Sequence, residues 1–152
     1  AWFDFQNFCQ QLIDELLLNG VTKHTITFSY HHAGKELYSD KYVLHHIISN
    51  LLANAIKYSH PNGEIVFTIT DTDSSLVLTF SDHGIGIESE DIKHLFEPFS
   101  RGSNVGNQSG TGLGLYIVKK YVDMANGTIH VESTKNAGSV FTVTLPIIHE
   151  HA

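Results

Sequence analysis

The chain has 152 residues, 41% of them apolar, which suits one globular domain large enough to bury a core and excludes a disordered segment. Its formal net charge of −7 argues against a general nucleic-acid binder, because a surface that tracks phosphates needs clustered Lys and Arg. A single cysteine, Cys9, excludes an intrachain disulfide and favours a reduced compartment, and no apolar run is long enough to span a bilayer.

The chain opens with Ala and enters a helical pattern almost at once, as a piece of a longer protein would. Phe5, Phe8, Cys9, Leu12, Ile13, Leu16 and Leu17 recur at helical spacing until Asn19-Gly20 stops them. Thr25 to Tyr30 alternates like a strand, and a turn at Ala33-Gly34 leads to a short strand around Leu37. Asp40 is a natural N-cap for a long helix to about Tyr58, with Val43, Leu44, Ile47, Ile48, Leu51, Leu52 and Ala55 as its core stripe. After the turn at His60-Pro61-Asn62-Gly63, strands Glu64 to Asp71 and Leu76 to Ser81 form a hairpin. Glu88 to Leu95 suits a short helix. Ser100 to Gly110 is nearly devoid of apolar residues and rich in Gly, Ser and Asn, the composition of a functional or mobile loop. A helix from about Leu113 to Met124 ends at Asn126-Gly127. Strands Thr128 to Ser133 and Ser139 to Leu145 close the chain around a turn at Asn136-Ala137-Gly138. Mixed helices and adjacent hairpins, without repeats, predict an α+β two-layer sandwich.

Four segments carry candidate chemistry. Asn50, Asn54 and Lys57 share one helix face beside the apolar stripe, although Asn costs roughly 0.7 kcal/mol against Ala inside a helix. Carboxamide oxygens suit Mg²⁺ and a lysine suits phosphate, while a plain solvated face is the alternative. Asp82-His83-Gly84-Ile85-Gly86-Ile87 follows a strand; its carboxylate can accept from an exocyclic amine, its glycines allow close approach, and its isoleucines can wall a flat ligand. It can equally be a common turn. Phe96-Glu97-Pro98-Phe99 precedes the polar loop, and its two phenylalanines can clamp that loop or simply fill core. Gly110-Thr111-Gly112-Leu113-Gly114-Leu115 opens a helix, where free amides and the helix dipole favour an anion. It matches neither the dinucleotide fingerprint nor the P-loop.

Taken in order, these segments resemble the N, G1, F and G2 boxes of the histidine-kinase catalytic domain, in the superfamily of gyrase, chaperone, histidine-kinase and mismatch-repair ATPases. The resemblance covers about residues 5 to 146 and identifies the chain as one such domain over 1–152, with 147–152 as a tail. It implies a Bergerat fold, a mixed five-stranded sheet with three helices on one face, and ATP with Mg²⁺ as cofactors. By resemblance Asn54 chelates the metal, Asn50 lies close to metal and phosphates, Lys57 helps bind phosphate, and Tyr58 lies near the nucleotide. Asp82 reads the adenine amino group, Gly84, Ile85, Gly86 and Ile87 shape the base pocket, and Phe96 and Phe99 flank the lid. Gly110, Gly112 and Gly114 hold the phosphates, and Thr111, Leu113 and Leu115 belong to the same nucleotide-binding segment. Arg101 stands where many members place a lid arginine near the γ-phosphate. His83 departs from the Asn often found there, which changes contacts at the pocket edge.

One position separates the branches. The hydrolysing relatives carry a Glu four residues before the metal-binding Asn to activate water; here that position is Asn50, and an amide is no general base near neutral pH. The resemblance therefore implies a kinase domain that keeps ATP for a histidine elsewhere, with Asn50, Lys57 and Arg101 as its catalytic residues. Its partners are a helical dimerisation and phosphoacceptor domain outside this chain and, indirectly, a response regulator. The chain itself is expected to be monomeric and cytoplasmic, its parent protein anchored to a membrane or not. His149-Glu150 lacks the helix and proline of an acceptor motif, and the adjacent pairs His31-His32 and His45-His46 lack metal-ligand spacing. A nucleotide-responsive module without transfer, or a slow ATPase, are the alternatives.

Overall fold

The computed structural model of the chain describes residues 2–18, 24–31, 36–72, 74–98 and 114–146. Its elements run β1 (Trp2–Asp4), α1 (Phe5–Leu18), β2 (Thr25–His31), β3 (Glu36–Tyr38), α2 (Lys41–Tyr58), β4 (Glu64–Asp71), β5 (Ser75–Asp82), α3 (Ser89–Ile92), α4 (Gly114–Met124), β6 (Thr128–Thr134) and β7 (Gly138–Pro146). The main sheet has the order β2-β4-β5-β7-β6, and β1 pairs with β3 in a separate two-stranded sheet. β2 lies parallel to β4, with α2 in the connection that a parallel pair requires; the other main-sheet pairs are antiparallel.

Local chemistry sets most element ends. The Asp40 carboxylate accepts from the Tyr42 and Val43 amides at 2.9 and 3.3 Å, starting α2. α4 ends where Asn126 turns left-handed at φ 59° and the Gly127 amide reaches back to the Val122 carbonyl. α3 is one turn, shorter than the expected Glu88 to Leu95. His94, Leu95 and Glu97 continue it as tight turns, each amide bonding three residues back, and Pro98 opposes a helical conformation just before it.

Alternation in the strands gives the sheet two unlike faces. Leu76, Leu78, Phe80 and Asp82 of β5 are buried, and Ser75, Val77, Thr79 and Ser81 between them are only half-buried. Register aligns Phe28, Phe67, Phe80 and Phe141 across four strands on the covered face, with Phe67 and Phe80 stacked at 4.5 Å. The same register aligns Ser29, Thr68, Thr79 and Thr142 on the opposite face. Buried side chains of α1 (Phe5, Cys9, Leu12, Ile13), of the α2 stripe and of α4 (Val118, Val122) join the apolar face in one core. This is the expected α+β two-layer sandwich, with the single-turn α3 added to the three longer helices.

Candidate functional site

The stripe that docks α2 on the sheet leaves Asn50, Asn54 and Lys57 on its flank, all half-buried. The Asn50 Nδ2 donates to the His46 carbonyl at 2.7 Å, so the amide donor is committed to its own helix and Oδ1 points away. That oxygen faces the start of α4: a Cβ built on Gly114 would stand 3.8 Å from it. An amide oxygen and a helix N-terminus thus confront each other across the α2–α4 groove. This pairing suits a metal-bound anion, because the oxygen is a hard neutral ligand and the helix end attracts negative charge. Lys57 carries its Nζ 5.3 Å from the Tyr58 ring centroid.

At the far end of α2, β5 delivers Asp82 to the covered face of the sheet, where it is only 5% exposed. Burial pushes its carboxyl above the ordinary carboxylate range, opposed by the amides of Gly84 and Ser139 and by the positive fields of His83 and His60. The Gly84 amide donates to Oδ1 at 2.9 Å. The Ile85 amide then donates to the Tyr58 carbonyl at 3.0 Å, tying the loop to the last turn of α2. A Cβ on Gly84 would fall 1.9 Å from that carbonyl oxygen, so backbone meets backbone with no room for a side chain. Gly86, at φ 69°, likewise lies against the Thr134 carbonyl, 2.0 Å from where its Cβ would stand. Ile85 and Ile87 are half-buried beside them. An acceptor-only carboxylate between apolar walls is the chemistry that selects a flat ligand bearing an amino group.

Phe96 is half-buried and packs on the core, and Leu115 does the same from the first turn of α4. Phe99, Arg101, Gly110, Thr111, Gly112 and Leu113 lie outside the described residues. No helix among the described residues is long and apolar enough to cross a membrane.

Residues 39–149 match the family model of the histidine kinase-, DNA gyrase B- and HSP90-like ATPases. The chain belongs to this ATPase family. Within it, the chain is similar to sensor kinases and sensor proteins. Over 120 residues it is 40% identical to the autoinducer 2 sensor kinase/phosphatase LuxQ of Vibrio parahaemolyticus, covering 74% of this chain and 14% of that protein. Over 115 residues it is 38% identical to the sensor protein CiaH of Streptococcus pneumoniae, covering 74% of this chain and 26% of that one. The chain therefore spans only a minor part of these relatives. Among solved structures, the catalytic domain of histidine kinase ThkA superposes with a TM-score of 0.78 at 26% identity, covering 97% of each chain. The chain is thus similar over nearly its whole length to the catalytic domain of a histidine kinase.

Several residues around this ATPase-family site carry no signal in the sequence. Ser139 lies opposite Asp82 in the β5–β7 register, and Ser133 lies opposite Ser139 in β6–β7. The turn between β6 and β7 touches the glycine loop through Asn136 and Lys135. Serines in strands and an Asn-Ala-Gly turn are too common to be singled out one chain at a time; only the register shows what they face.

Proposed function

We propose that this domain binds Mg·ATP and donates the γ-phosphoryl group to a histidine on a separate helical dimerisation domain, from which a response regulator would receive it. Asn50 carries the reading. Its amide stands where the hydrolysing relatives place a general base, its donor is already bonded to His46, and its oxygen faces the start of α4. Nothing at that position can take a proton from water near neutral pH.

In this reading the adenine amino group donates to Asp82, with Ile85 and Ile87 along the base and Gly84 and Gly86 allowing the loop to come close. Asn54 ligates the Mg²⁺, with Asn50 beside the phosphates, Lys57 countering their charge, and Tyr58 near the nucleotide. The Gly110 to Leu115 segment supplies amides at the α4 N-terminus, Phe96 and Phe99 flank the loop, and Arg101 approaches the γ-phosphate. The fit to Mg²⁺ rests on neutral amide oxygens in a half-buried groove; such a metal keeps water and phosphate as its remaining ligands. Bound there, it supplies charge neutralisation at the phosphates. The chain's own residues then do what phosphoryl transfer mostly needs, positioning and charge stabilisation. The imidazole nitrogen of the partner attacks phosphorus, the bond to the bridging oxygen breaks, and ADP leaves.

Titration calorimetry with Mg·ATP, with phosphate release followed in the same sample, tests this. Binding without steady release is expected, and Asn50→Glu should bring steady release by restoring a base. Steady hydrolysis by the unaltered chain would move the domain to the ATPases, and no binding would make it a degenerate module.

A further inference from the structure

The loop from His83 to Glu88 is pinned from two sides. On one side stand Asp82, which receives the Gly84 amide, and α2, which receives the Ile85 amide. On the other stands the β6–β7 hairpin. The Asn136 amide donates to the Ile85 carbonyl at 2.6 Å, Lys135 Nζ pairs with Glu88 at 2.7 Å, and the Ile87 amide donates to Ser133 Oγ at 2.7 Å. The Lys135–Glu88 pair is half open to water and so contributes little to holding the loop. The Ser133 bond is different in kind. Its hydroxyl hydrogen goes to the Gly138 carbonyl at 2.9 Å, so Ser139 Oγ, 2.8 Å away, must be the donor in the serine pair. Ser133 Oγ thereby gives one hydrogen bond and receives two, which uses all its capacity. Through Ser139, which lies opposite Asp82 in the β5–β7 register, the same cluster reaches the strand position of the base-reading group itself.

We infer that Ser133 is a positioning residue for the base end of the nucleotide site: it sets where the loop of Ile85 and Ile87 stands relative to Asp82. The inference rests on the nucleotide reading above. Because Ser133 acts on the base end and not on the phosphates, its removal changes affinity for every adenine ligand by a common factor.

The test is calorimetric titration of Mg·ATP, ADP and adenosine against the unaltered chain, Ser133→Ala and Ser133→Thr, well below each melting temperature. Ser133→Ala is expected to weaken all three ligands alike, by about tenfold, the equivalent of 1.4 kcal/mol. Ser133→Thr, which keeps the hydroxyl, should restore most of the affinity, and Ile87 amide exchange should accelerate in the alanine variant alone. A lowered melting temperature with unchanged affinities would overturn the inference, leaving Ser133 as a hairpin residue only. A loss confined to ATP would overturn it too. If the alanine variant does not fold, Ser133→Cys, nearly isosteric with a weak hydrogen-bonding thiol, is read in the same way. Absence of binding by the unaltered chain would overturn the nucleotide reading and the inference with it. Equal binding by the unaltered chain and Ser133→Ala would overturn the inference alone.

Discussion

Asp82 sets recognition against stability at a single residue. Folding raises its pKa chiefly by burial, so between the unfolded and folded values the native chain holds a proton that the unfolded chain has released. Its contribution to stability is therefore fully present below the unfolded pKa and is lost as pH rises through the folded one. Once ionised, the 5%-exposed carboxylate works against folding. Asp82→Asn should accordingly compare best with the unaltered chain above the folded pKa of Asp82, its relative melting temperature falling as the pH drops through that pKa toward the unfolded one. Melting curves across that range would show it, and a difference independent of pH would mean Asp82 does not titrate as its burial implies. The same variant should erode any preference for ATP over GTP in competition binding, because the acceptor for an amino group is then half donor. The carboxylate and its flanking glycines were legible in the sequence as a candidate reader; its burial was not.

Among the elements, α2 is where local sequence and tertiary site meet. Asp40 and the seven-residue apolar stripe are readable because caps and helix faces depend on residues within one or two turns. The face carrying Asn50, Asn54 and Lys57 was likewise predictable from spacing. What α2 holds at its far end was not: the Tyr58 carbonyl receives the Ile85 amide and leaves no space beside Gly84. Gly84→Ala would put a methyl 1.9 Å from that oxygen, and backbone cannot rotate away as a side chain can. We expect it to cost more than about 2 kcal/mol in urea unfolding, a size tied to backbone strain, and to separate the loop from α2. A change within about 0.5 kcal/mol, the range of a neutral surface substitution, would contradict the contact.

Over the whole molecule the asymmetry of the sheet is the governing feature. One face is a continuous apolar layer under the helices, and the other is a Thr- and Ser-rich surface. Phe80 and Thr79 are neighbours in sequence on opposite faces, 1% exposed and half-buried respectively. Phe80→Ala should cost about 3–5 kcal/mol through lost burial and the cavity left behind, while Thr79→Ala should cost no more than about 1 kcal/mol. Comparable losses in chemical denaturation would mean that the second face is also packed.

Composition, helix faces and strand alternation by themselves determined the longer elements, with boundaries to within a residue or two for α1, α2 and the two hairpins, and the α+β class. The ordered boxes also placed the chain in its ATPase family. These follow from interactions spanning a few residues, which one sequence displays. The β1–β3 pairing, the parallel placement of β2 on β4 and the sheet order β2-β4-β5-β7-β6 were decided only in the tertiary structure. So was the seat of the β6–β7 turn on the glycine loop, where Ile87 meets Ser133 across 46 positions of chain. A three-residue strand such as Trp2–Asp4 has too little periodicity to be seen, and partners that far apart are chosen by what their meeting buries, a quantity that exists only once both are in place.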